Sequence, residues 1–219
     1  MRDALVGILA FGIVVVAVIL IVVAGSRGMT AIRELLRSLA TSAGWTDLRN
    51  AFMAAAGVKG TWRSFPVALS YMGRQKGTPQ RLILKVGARS DSRLIIKRRF
   101  TGLFSNRPLT WFGPPLIELK HSSAEELWVR ADEPTLAERL FGDSSLAALM
   151  GTNLVARFDE IHVDKRGLRL TRALDDRLVK EKYGMATFAF RPDPEKLEPI
   201  AREELALAEA LVTKLSMMS

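Results

Sequence analysis

The sequence predicts an α+β protein. It reads as one N-terminal transmembrane helix, two juxtamembrane helices, then a mainly antiparallel sheet domain with flanking helices and a long C-terminal helix. Three observations carry this reading. Residues 4–26, ALVGILAFGIVVVAVILIVVAGS, contain no charged side chain. From Val58 onward the apolar spacing changes from a helical period to a period of two, with turn-forming residues between short runs. Strands and helices then mix without a regular βαβ rhythm, which favours antiparallel pairing.

At about 1.5 Å per residue, the apolar run over residues 4–25 covers a hydrocarbon core of roughly 30 Å. In lipid it must be helical, because every backbone polar group needs an internal partner there. A cleaved leader fits less well, since the run exceeds the usual 7–15 or so residues and the only preceding cation, Arg2, is offset by Asp3. Arg27, Arg33 and Arg37 follow the span, so the charge bias predicts an outside N-terminus and a cytoplasmic C-terminal domain at the cell inner membrane. The absence of cysteine agrees with a reducing compartment.

Residues 26–57 read as a juxtamembrane linker and helices, and residues 58–219 as a cytoplasmic α+β domain. Thr30 can cap a helix whose Ile32, Leu35, Leu36 and Leu39 form one stripe, ended by Gly44. A second helix is predicted from Thr46, with Leu48, Phe52 and Ala55 on one side and Gly57 as its stop. The period of two then begins in GTWRSFPVALSYM and continues in RLILKVGA and SRLIIKRRF. In the last of these, Leu94, Ile96 and Arg98 point one way, and Arg93, Ile95, Lys97 and Arg99 the other. The cations then share a solvated sheet face, beside Arg81 and Lys85 of the neighbouring strand.

Pro114 and Pro115 precede a short strand, LIELK, and EELWVRAD is another, with Leu127 and Val129 opposite Trp128 and Arg130. EPTLAERLFG is a helix with Pro134 near its first turn, and DSSLAALMG reads as the next. ARFDEIHVDKRGLRLTR is the clearest hairpin, with Gly167 in the turn and Ile161 and Val163 answering Leu168 and Leu170. MATFAFRP reads as a final strand. A long helix follows Asp193 and Pro194, or restarts at Pro199, with Ile200, Leu207, Leu211, Leu215 and Met218 on one stripe.

The formal net charge of +9 is unevenly spread. Residues 59–107 hold twelve Lys and Arg against one acid, Asp91, whereas residues 118–160 are net acidic. No catalytic system is visible: there is no cysteine, no G-x-S-x-G elbow and no phosphate-binding loop. His121 and His162 cannot build a usual zinc site without other ligands. If EIHVD is a strand, Glu160, His162 and Asp164 share a face that could hold a divalent metal; the alternative is the wet side of a hairpin. The expectation is therefore no enzyme, no cofactor and no metal, with a metal-dependent enzyme at Glu160, His162 and Asp164 as a minor alternative.

VKGTWRSFPVALSY, the paired basic strands after it and ELWVRADEPTLAERLF together resemble a diffuse group of uncharacterised bacterial single-pass membrane proteins. The resemblance implies a short membrane helix, a helical linker, a glycine-containing first strand and a cytoplasmic α+β tail. It implies no activity, and no functional residue carries over from it.

Four surfaces could face the cations: nucleic acid, anionic lipid, an acidic protein, or the acidic part of the same domain. A tether disfavours nucleic acid, and a basic face at the inner leaflet gains on the order of 1 kcal/mol per cation near anionic lipid. The sequence thus predicts a membrane-anchored, non-catalytic protein, held in the bilayer by residues 4–25, that binds a partner at the inner leaflet. Its most concrete form is an accessory or assembly subunit of a larger membrane protein complex; the alternative is a free-standing anionic-lipid-binding module. Arg81, Lys85, Arg93, Lys97, Arg98 and Arg99 are the predicted contacts to an acidic surface, with Arg27, Arg33 and Arg37 at lipid headgroups.

Overall fold

Strand pairing dominates the architecture. The structure, a computed structural model, describes residues 29–51, 56–73, 80–98, 114–118, 127–142, 160–174 and 193–218. Among these are nine strands: β1 Thr46–Asn50, β2 Ala56–Trp62, β3 Phe65–Met72, β4 Arg81–Val86, β5 Leu94–Arg98, β6 Leu116–Ile117, β7 Leu127–Ala131, β8 Glu160–Asp164 and β9 Gly167–Ala173. Three helices accompany them: α1 over residues 29–42, α2 Pro134–Gly142 and α3 Pro194–Met218. The strands form one sheet in the order β1-β2-β3-β4-β9-β8-β5-β7-β6, and every pair is antiparallel.

The two-residue period explains the core. Val58, Leu69, Leu84, Leu170, Ile161, Ile96, Val129 and Ile117 stand opposite one another in a single row across eight strands. All but Ile117 are buried, and Ile117 packs against the same cluster. Each such aliphatic side chain contributes about 1.5–3 kcal/mol when fully withdrawn from water. A parallel row of Tyr71, Leu82 and Arg172 lies on the same face. This face is covered by helix: Leu197, Ala201, Leu207, Leu211 and Val212 of α3 join its cluster, as do Ile32, Leu36 and Leu39 of α1.

Buried among them is Glu204 of α3, neither of whose carboxyl oxygens has a hydrogen-bond partner. Burial pushes its pKa well above the ordinary 4.5. The Arg172 guanidinium and the Leu84 backbone act the other way without completing a hydrogen bond. Arg172, itself buried, donates to the Ile200 carbonyl and to Glu203 at 3.3 Å each.

Several elements match their sequence expectation. α1 ends in a Schellman arrangement, with Gly44 at φ 77° and the Trp45 amide donating to the Ala40 carbonyl at 2.9 Å. The β8–β9 hairpin pairs Ile161 with Leu170 and Val163 with Leu168, and Gly167 has φ 120°. A Cβ on Gly167 would also collide with the Val86 carbonyl oxygen, so the turn presses against β4. α3 runs unbroken through Pro199.

Other expectations are corrected. The second juxtamembrane helix does not form: its segment supplies β1 and the start of β2. Asp47 takes φ 52°, and the β1–β2 register shifts between Thr46 and Arg49. Gly60 admits this strand, because a Cβ there would sit 2.5 Å from the Thr46 carbonyl oxygen. Leu48 therefore lies in a strand, its segment's pairing with β2 overriding the local helical spacing, while Phe52 and Ala55 fall outside the described residues.

The apolar run over residues 4–25, expected to be the transmembrane helix, lies outside the described residues. Among the described residues no helix is long and apolar enough to cross a membrane. The longest, α3, carries Glu195, Lys196, Glu198, Arg202, Glu203, Glu204, Glu209 and Lys214, charges whose transfer into hydrocarbon is prohibitive. The single-pass inner-membrane fold and location read from the sequence are corrected accordingly. The DSSLAALMG helix and the MATFAFRP strand fall outside the described residues as well.

Candidate functional site

The second face of the sheet carries the polar half of each alternation. Its central row runs Arg49, Lys59, Ala68, Lys85, Arg169, His162, Ile95 and Arg130 across β1, β2, β3, β4, β9, β8, β5 and β7. The next row brings Ser70, Ile83, Thr171, Glu160, Lys97 and Trp128 together. Arg49, Lys59, Lys85, Lys97 and Arg169 are exposed.

A cleft of about 750 Å³ opens on this face. β1 walls one side with Asp47 and Arg49, and the β8–β9 turn walls the other with Asp164 and Arg166. Lys59 and Lys85 line it, as do the small residues Gly60, Ala68 and Gly87. Ala68 is the one small residue between Lys59 and Lys85 in the register row.

Ion pairing divides the cations into two groups. Arg93 makes a forked contact with Asp132, Nε to Oδ2 at 2.9 Å and Nη2 to Oδ1 at 3.1 Å. This hydrogen bonding raises the Arg93 pKa and holds the Asp132 carboxyl below its ordinary value. Lys97 lies 3.4 Å from Glu160, and Arg169 lies 3.1 Å from the same carboxylate. By contrast, among the described residues no carboxylate stands within ion-pair distance of Arg49, Lys59, Lys85 or the Arg166 guanidinium. These four unpaired cations all line the cleft.

Glu160, His162 and Asp164 share the open face, as their strand alternation requires. They do not converge. His162 turns Nδ1 toward Glu160 at 3.9 Å and Nε2 toward Asp164 at 3.6 Å, so the two carboxylates lie off opposite edges of the ring. One metal ion bonds a single imidazole nitrogen and cannot meet both carboxylates across the ring. Arg169 further occupies the Glu160 side, with Nη2 3.4 Å from Nδ1. Among the described residues no group of three His, Cys, Asp or Glu side chains could hold a metal. The His162 pKa is lowered, chiefly by burial and also by Arg169 and Lys97, with Asp164 and Glu160 opposing.

The predicted contact residues scatter. Arg27 and Arg99 lie outside the described residues, and of Arg98 only its place at the end of β5 is described. Arg33 and Arg37 sit on α1, half-buried and exposed respectively. Arg81 and Lys85 are on β4, which does not neighbour β5: β9 and β8 lie between them. Lys85 is in the cleft, whereas Arg93 and Lys97 are paired elsewhere. Arg49, Lys59, Arg166 and Arg169 were missed. Alternation alone could have placed Lys59 and Arg169 on the outer face, but nothing local reveals that β4 and β9 adjoin.

No family model matches the chain, and no curated protein matches it. One solved structure, the mycobacterial trehalose monomycolate transport factor A, TtfA, is similar over 83% of this chain and 95% of its own. Its identity is 11% and its TM-score 0.43, a likeness that carries no argument about this chain's role.

Proposed function

We propose that this chain is a non-catalytic binding domain that joins a larger protein assembly, taking an acidic partner on the open face of its sheet. The observation behind this reading is the gathering of Arg49, Lys59, Lys85 and Arg166, none paired with a carboxylate among the described residues, around one cleft. Like charges held together repel, and an acidic partner relieves that repulsion while supplying specificity and a faster encounter. Ala68 and Gly87, small residues of the lining, leave room for a partner's backbone beside the cations.

The test is co-purification of the tagged full-length chain from its own cells, with stoichiometry read by mass spectrometry. The reading expects a stoichiometric partner that the Lys59→Glu, Lys85→Glu double variant loses and the Arg93→Gln, Lys97→Gln double variant keeps. A lone wild-type chain, or a partner indifferent to both double variants, refutes it.

A further inference from the structure

We infer that the feature received by this cleft is an extended acidic peptide segment of about seven residues, lying across the strands with its acids at alternate positions. The inference rests on the partner-binding reading above and specifies the partner's chemistry.

The register row supplies the ruler. Adjacent strands lie about 4.8 Å apart, so Arg49 and Lys59 are one such step apart, Lys59 and Lys85 two, and Lys85 and Arg169 one. From Arg49 to Arg169, the one cation of this row that also holds a carboxylate, Glu160 at 3.1 Å, the row therefore spans about 19 Å. An extended chain presents side chains on one face every 6.6 Å or so, and four alternate positions reach about 20 Å. The two lengths agree. The wider central step, at Ala68, leaves room for a main chain to cross between Lys59 and Lys85, next to Gly60 and Gly87.

Charge selects an anion, and the lining selects among anions. Among the described residues the unpaired cations Arg49, Lys59, Lys85 and Arg166 meet two acids in the cleft, Asp47 and Asp164, and Asp164 already accepts from the Arg166 amide at 2.7 Å and faces His162. Single-stranded nucleic acid has a comparable charge spacing, but it is held by bases stacked on aromatic rings. Among the described residues lining the cleft there is no Phe, Tyr or Trp. A peptide carboxylate needs no such platform.

Fluorescence anisotropy on the full chain tests this with three labelled probes: Glu-Ala-Glu-Ala-Glu-Ala-Glu, its all-Gln analogue and oligothymidylate of seven nucleotides. The alternating acidic peptide is expected to bind, weakening with added salt. Lys59→Glu and Lys85→Glu should each weaken it about tenfold, whereas Arg93→Gln and Lys97→Gln should leave it within about twofold. Lys59→Gln and Lys85→Gln, milder changes, guard against loss of folding and should weaken it about threefold each. Equal affinity for the all-Gln peptide, or insensitivity to the Lys59 and Lys85 variants, overturns the inference. Tighter binding of the oligothymidylate, lost in those same variants, overturns it in favour of nucleic acid. A co-purifying partner that depends on Lys59 and Lys85 while the acidic peptide fails to bind leaves the partner reading standing and removes this one.

Discussion

Lys97 of β5 stands directly opposite Glu160 of β8 in the ladder, its Nζ 3.4 Å from the carboxylate. That pairing changes the meaning of the most basic stretch of the chain, RLIIKRRF. Its Arg93 is tied to Asp132 and its Lys97 to Glu160, so neither is available to a partner without first giving up a contact.

Lys97→Gln should therefore alter partner affinity by less than about twofold and stability by less than about 1 kcal/mol, as exposed pairs usually do. Lys85→Gln, three strands away, should weaken binding several-fold at unchanged stability. Affinity and urea midpoints measured on both variants decide the point, and the reverse ranking would contradict it.

Gly167→Ala should destabilise the fold by about 3 kcal/mol or more. Two costs add: φ 120° is closed to a side chain, and the new Cβ meets the Val86 carbonyl. Equilibrium urea unfolding measures it, and a change under 1 kcal/mol or so would contradict the hairpin geometry.

The turn between β2 and β3 holds Arg63 at φ 47° and Ser64 at φ 70°. Arg63 is retained by Glu209 at 2.6 Å and by the Trp62 ring, 4.8 Å from its guanidinium carbon. Ser64 has no such anchor among the described side-chain contacts. Ser64→Gly should raise stability by about 1 kcal/mol, seen as a higher thermal midpoint.

Glu204 gives the fold a stability that depends on its proton. Because its folded-state pKa lies above the ordinary 4.5, the native state holds the proton more tightly than the unfolded chain. Its contribution is complete below pH 4.5 and falls as pH rises toward the raised value. Among the described residues the charged group acting on it is Arg172 of β9, which also pairs with Glu203. Glu204→Gln should flatten the fall in urea midpoint between pH 5 and pH 8 or so; an unchanged slope would assign the fall to other groups.

His162 acts in the opposite sense. Its lowered pKa means that its contribution is complete above 6.5 and is lost as pH falls below that value. An NMR titration of the imidazole should give a midpoint below 6.5, and His162→Gln should remove its share of the acid-side loss. A midpoint above 6.5 would mean that Asp164 and Glu160 outweigh burial and the neighbouring cations.

Local sequence determined what alternates and what turns. The two-residue period of RLILKV, LIIKR and LWVRA placed Leu84, Ile96 and Val129 inward, and Gly167 placed the hairpin, because side-chain direction and turn conformation are properties of a few adjacent residues. α1 and α2 were readable for the same reason, through their stripes and their Gly44 and Pro134 boundaries. Thr46–Asn50 was not, since what makes it a strand is Gly60 on another segment. The candidate site was less legible still. The amino-acid sequence determined that the chain is basic and that its cations favour one face of a sheet. Only the tertiary structure decided, by inserting β9 and β8 between β4 and β5, that Arg93 and Lys97 meet carboxylates while Arg49, Lys59, Lys85 and Arg166 are left together with no carboxylate in ion-pair reach among the described residues. Strand order is set by pairing between distant segments, and it is strand order that decides which charges become neighbours.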